Sequence, residues 1–112
     1  LEAEDKWILS RTQGMIAQVT EAVENGSVFV DVREPFEIAE VAYDLPNQIQ
    51  IPLGSIQERM SEIPKDKNII IGCRSGGRSA NACQFLMMQG YANVQNLQGG
   101  IMGWMDHGLP TK

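Results

Sequence analysis

Apolar positions along the chain follow two rhythms. Ile16, Val19 and Val23 fall at i, i+3 and i+7, one face of a helix that Asn25-Gly26 stops. Val28 to Val32 is a short, mostly β-branched run with the character of a buried strand. Pro35 suits a first helical turn, and the spacing after it predicts a helix running into Tyr43. Ile49 to Ile51 reads as a short strand between prolines. Ser55-Ile56-Gln57-Glu58 has the form of a capping box, with Ile56, Met60 and Ile63 at helical spacing behind it. Lys65-Asp66-Lys67 is a solvated turn before Asn68-Ile69-Ile70-Ile71-Gly72, a second buried strand. From Ala80 to Gly90, positions 83, 86, 87 and 90 mark a helical core stripe. Val94 to Leu97 is the last strand, and Gly99-Gly100 turns into a short helix carrying Trp104. The stretch from Leu1 to Gly14 has no clear period; Trp7, Ile8 and Leu9 form a small apolar cluster expected to pack on the domain.

Strands that alternate with helices imply βα units. The expected fold is a three-layer α/β sandwich, a mainly parallel sheet of about five strands with helices on both faces. Residues 1–14 form an extension and residues 15–112 one domain, with no repeat or low-complexity segment. A length of 112 residues supports a single core.

Charge adds to this picture through its distribution. The net charge of −5 argues against a nucleic-acid partner. Residues 1–44 hold ten acids and three bases, whereas residues 45–112 hold four acids and six bases. No apolar run approaches the length of a membrane span. Two cysteines do not make a disulfide framework, and a free functional thiol suits a reducing compartment, so the expected location is cytoplasmic.

The candidate chemistry lies in the positive part. Cys73-Arg74-Ser75-Gly76-Gly77-Arg78-Ser79 occupies the turn between a buried strand and a helix. In parallel sheets, sites form beyond the carboxyl ends of the strands. Two glycines allow backbone conformations that other residues avoid and leave N–H groups uncovered. Those groups and the helix N-terminus form an anion cradle. With Arg74 and Arg78 flanking it, the loop should hold Cys73 as a thiolate.

This loop resembles the active-site loop of the single-domain rhodaneses, sulfurtransferases that carry sulfur as a cysteine persulfide. Val28-Phe29-Val30-Asp31-Val32-Arg33-Glu34-Pro35 is similar to the first family signature. Gly90-Tyr91-Ala92-Asn93-Val94, then Leu97-Gln98-Gly99-Gly100-Ile101, Trp104 and Gly108-Leu109-Pro110, is similar to the C-terminal one. The resemblance covers roughly residues 15 to 110. It implies that Cys73 attacks the outer sulfur of a small anionic donor such as thiosulfate. The persulfide then passes sulfur to cyanide, a thiol or a protein acceptor, with no metal or organic cofactor, no nucleic acid and no membrane. Arg74, Ser75, Gly76, Gly77, Arg78 and Ser79 would bind substrate. The sequence departs from the family pattern at Asn47, which stands where a glycine is usual; asparagine tolerates positive φ better than most residues.

Competing readings are weaker. Cysteine phosphatases place five residues between Cys and Arg, and four lie between Cys73 and Arg78. An arsenate reductase on a related loop and a non-catalytic interaction module are further alternatives, although such modules typically lose the cysteine. Cys83 reads as a buried structural residue, Met87 and Met88 as packing, Trp104 as a core filler and His107 as a surface or capping group. Two cysteines and one histidine at these spacings do not make a zinc site. Asp31 and Arg33 are expected to form a structural ion pair near the site.

Overall fold

The computed structural model describes residues 8–9 and 14–112. Five parallel strands form one sheet in the order β1-β5-β4-β2-β3. In chain order the elements are β1 (Ile8–Leu9), α1 (Gly14–Glu24), β2 (Val28–Asp31), α2 (Pro35–Glu40), β3 (Ile49–Gln50), α3 (Ile56–Arg59), β4 (Ile69–Gly72), α4 (Gly77–Met88), β5 (Val94–Leu97) and α5 (Gly100–Asp106). Single 3-10 turns, Leu53–Ser55 and Met60–Glu62, flank α3. Ile8 and Leu9 pair with Asn96 and Leu97, so the stretch ahead of α1 supplies an edge strand. Trp7 lies outside the described residues.

Side chains of successive strand residues point to opposite faces, and the cores divide accordingly. Val30, Val32, Ile69, Ile71 and Val94 pack with Ile56, Ile63, Ala82, Cys83 and Leu86 under α3 and α4. Phe29, Ile70 and Leu97 pack with Val19, Val23, Tyr43, Ile101 and Trp104 under α1 and α5. Trp104 is buried, and its Nε1–H donates to the Pro110 carbonyl at 2.7 Å. Asn47 adopts φ +56°, the one positive φ among the described non-glycine residues.

Three local expectations give way. The helix after Pro35 ends at Glu40, short of Tyr43, because Val41 is extended. From there the chain runs antiparallel to the C-terminus: Ala42 and Lys112 exchange backbone hydrogen bonds and Asp44 N–H donates to Pro110. Ser55 makes no capping bond. It closes the preceding 3-10 turn at φ −107°, ψ 2°, away from the extended geometry a capping side chain needs. The stripe on α4 is Ser79, Ala82, Cys83 and Leu86. Met87 and Met88 are 46% and 83% exposed, and Gly90, at φ +96°, lies beyond the helix end.

Candidate active site

The site forms where β4 ends. Gly72 is in register with Asp31, which brings the end of β2 beside the first residue of the loop. A Cβ on Gly72 would lie 2.6 Å from Phe29 and 2.8 Å from the Tyr43 hydroxyl, so this strand position admits only glycine without rearrangement. Cys73 follows and is 1% exposed. Its thiol therefore lies at the floor of the cradle.

The loop curls around the sulfur. Gly76, at φ +108°, caps α4, and its N–H donates to Cys73 Sγ at 3.0 Å. Ser79 Oγ, in the first turn of α4, lies 3.3 Å from the same sulfur. Burial alone would push the Cys73 thiol up. The Ser79 hydroxyl and the backbone N–H groups of Ser79, Gly76 and Ser75 outweigh it and hold the thiol below its ordinary value. These dipoles, more than the arginines, account for the shift.

The arginines diverge. The Arg78 guanidinium forms a fork on Glu37, with Nη1–Oε1 at 2.7 Å and Nη2–Oε2 at 2.8 Å, tying α4 to α2 across 41 residues of sequence. That fork lowers the Glu37 carboxyl to about 2. The charge of Arg78 is thus largely engaged, although Arg78 also feels the Cys73 sulfur. Arg74 is exposed and makes no ion pair among the described residues. It lines a cleft of about 180 Å³ together with Glu37, Glu40, Ile101, Met102 and Met105.

The back of the loop is anchored from the other face of the sheet. The Cys73 carbonyl accepts the Tyr43 hydroxyl at 2.6 Å and the Ile101 N–H at 2.9 Å. The Arg74 carbonyl accepts the Met102 N–H at 3.0 Å. Burial, then the nearby charges of Asp31 and Cys73, raises Tyr43 well above its ordinary value, so it remains a donor. Gly100, at φ +57°, lies against these peptides: a Cβ there would come within 2.5 Å of Cys73 O and Arg74 C. With both carbonyls held behind, the N–H groups ahead remain turned toward the sulfur.

Asp31 and Arg33 form the expected buried ion pair, Nη2–Oδ2 at 2.7 Å and Nε–Oδ1 at 3.0 Å. Arg33 also donates to the Val41 carbonyl at 2.9 Å, fixing the turn after α2. Cys83 is fully buried in the core under α4, and burial pushes its thiol up to about 12. His107 closes α5, with Nδ1 2.8 Å from the Gly103 carbonyl. The sequence reading missed Glu37, Tyr43 and Asn96. Asn96 had one visible signal, a polar residue at an inward position of a core strand. Among the described residues no three His, Cys, Asp or Glu side chains cluster, and no helix is long and apolar enough to cross a membrane.

A family model described as Rhodanese-like domain matches residues 15–107. The chain is 53% identical over 83 residues to a protein named Sulfurtransferase from Allochromatium vinosum, covering 74% of this chain and 76% of the relative. It is 31% identical over 108 residues to Thiosulfate sulfurtransferase 18 of Arabidopsis thaliana, covering 85% and 79%. The crystal structure of a rhodanese-related protein from Thermoplasma volcanium superposes with a TM-score of 0.75 at 33% identity, covering 87% of this chain and 93% of that one.

Proposed function

Because the chain belongs to the rhodanese-like domain family, we propose that it is a sulfurtransferase that takes sulfane sulfur from thiosulfate or another persulfide donor onto Cys73. The Cys73 thiolate attacks the outer sulfur of thiosulfate. The S–S bond of the donor breaks, sulfite leaves with its electron pair, and Cys73 carries a persulfide. A cyanide ion or an acceptor thiolate then attacks the outer sulfur, and Cys73 departs as a thiolate.

One observation carries this reading. The Cys73 sulfur lies at the focus of a ring of donors, with Gly76 N–H at 3.0 Å and the Ser79 hydroxyl at 3.3 Å. Preorganised donors of this kind favour an anion on sulfur before attack and on the leaving thiolate afterwards. Ser75, Gly76, Gly77 and Ser79 supply and shape the cradle. Arg74, which makes no ion pair among the described residues, steers the donor anion from the edge of its cleft. Arg78 holds the cradle to α2 through Glu37. The naming of relatives as sulfurtransferases, one of them for thiosulfate, supports the same chemistry. Incubation with thiosulfate should add one sulfur to the Cys73 peptide in a mass spectrum, and cyanide should remove it. An unmodified Cys73 under turnover, with hydrolysis of aryl phosphates instead, would replace this reading by the phosphatase one.

A further inference from the structure

Ser79 has one hydroxyl proton and three neighbours able to accept it. Its Oγ lies 2.5 Å from Asn96 Oδ1, 3.2 Å from the Gly76 carbonyl and 3.3 Å from Cys73 Sγ. The orientation of the Asn96 amide decides between them. Asn96 Nδ2 lies 3.2 Å from the Gly76 carbonyl. A carbonyl oxygen cannot donate, so that side of the amide must be the NH2. Oδ1 therefore faces Ser79, and since Oδ1 cannot donate either, Ser79 gives its proton to Asn96. In that arrangement Ser79 Oγ presents a lone pair to Cys73, a partner for S–H and a poor one for a thiolate.

We propose that the Ser79 hydroxyl is a two-position switch, donated to Asn96 Oδ1 while Cys73 is a thiol and turned to Cys73 Sγ when that sulfur is an anion, with Asn96 as the positioning residue that holds the first state. No bond breaks: the O–H rotates about the serine Cβ–Oγ bond. The Gly76 carbonyl already accepts from Asn96 Nδ2 at 3.2 Å and from the Ala80 N–H at 3.1 Å, so both its lone pairs are engaged. The surrounding groups leave the rotor to the other two acceptors. Asp31 closes on Arg33, Glu37 on Arg78, and Tyr43 donates to the Cys73 carbonyl. Cys83 stays neutral, and Arg74 opens to the neighbouring cleft. Both partners are nearly enclosed, Ser79 at 0% and Asn96 at 6% exposure, so water does not offer the hydroxyl a third choice.

Applied to sulfur transfer, and resting there on the proposed function, the switch serves both half-reactions. It turns to Cys73 for the attacking thiolate, returns to Asn96 as charge moves to the outer sulfur, and turns again as the thiolate departs.

The test uses the free thiol, so it succeeds or fails independently of any sulfur donor. The rate of Cys73 alkylation by iodoacetamide is measured against pH in four proteins: the unaltered chain, Asn96→Asp, Ser79→Ala and the double variant. A carboxylate at 96 holds the Ser79 proton more firmly. Asn96→Asp should therefore slow alkylation at neutral pH roughly tenfold with Ser79 present, the worth of one hydrogen bond to a charged group. In the Ser79→Ala background the same change should slow it roughly threefold or less, leaving only the effect of the added charge. Equal slowing in both backgrounds overturns the switch. A second readout needs no variant: the Asn96 side-chain amide signals in a 15N–1H spectrum should shift in step with Cys73 ionisation, and signals unmoved across that titration overturn it too.

Discussion

Cys73 and Cys83 lie ten residues apart, are both buried and belong to the same core beneath α4. Their thiols nevertheless move in opposite directions, Cys73 down and Cys83 up to about 12. The difference lies in the donors around each: Cys73 has the Ser79 hydroxyl and then the backbone N–H groups of Ser79, Gly76 and Ser75. Cys83 is inside a helix, where N–H groups are already spent on carbonyls one turn back. Cys73 precedes a helix, where the first N–H groups have no intrahelical partner and Gly76 bends them toward the sulfur. Burial raises both thiols; only the supply of unspent donors differs.

The strongest way to break this comparison is to exchange the outcomes. Cys73→Ala should abolish persulfide formation, whereas Cys83→Ala should retain activity within about twofold and lose about 1–2 kcal/mol of stability for its emptied volume. A Cys73–Cys83 disulfide after donor treatment, seen by mass spectrometry, would turn the contrast into a two-cysteine relay.

Next in size is the wall behind the cradle. Gly100→Ala forces a Cβ into the Cys73 and Arg74 peptides at a positive φ, and should cost about 2–4 kcal/mol in a denaturant melt. Cys73 alkylation at neutral pH should fall as the loop opens; unchanged stability and alkylation would show that the wall yields freely.

Alkali should then separate the two thiols. The pKa of Cys83 is raised by folding, so its contribution to stability is complete below the unfolded value near 9 and is lost as pH rises toward about 12. The slope it adds approaches about 1.4 kcal/mol per pH unit in that window. Cys83→Ala should flatten this alkaline limb in melts taken from pH 8 to 11. Cys73 contributes in the opposite sense, because its pKa is lowered by folding. Its stabilisation is present above the unfolded value and is lost as pH falls through the folded one.

The smallest effect should come from Arg74. Arg74→Ala should raise the KM for thiosulfate several-fold and leave the pH profile of Cys73 alkylation in place, since the donors to the sulfur are the Ser79 hydroxyl and backbone N–H groups. A profile displaced toward higher pH would return the arginine to the centre of the electrostatic argument.

The parts legible in the sequence were those written in contiguous residues. The runs Val28–Val32 and Asn68–Gly72 announce buried strands, Gly76 announces a bent cradle, and Asp31-x-Arg33 is short enough to pair locally; Gly77, by contrast, opens α4 without a positive φ and with room for a Cβ. What escaped depends on distant partners. Tyr43 reaches Cys73 across 30 residues and Glu37 reaches Arg78 across 41, and nothing near either names the other. The α4 stripe was misplaced toward Met87 because apolar character alone does not say where a helix leaves its sheet. The small, polar Ser79 faces inward for the sake of the site, which hydrophobic spacing cannot register.

The contact of Gly100 with the Cys73 and Arg74 peptides also bears on engineering the loop. Because the rear of the cradle is closed at van der Waals range, a residue inserted between Cys73 and Arg78 has only the solvent side into which to expand. A wider ring, such as a tetrahedral oxyanion requires, would bulge toward α2 and strain the Arg78–Glu37 clasp. Loop length and the glycine behind it therefore act as one element, to be redesigned together or not at all.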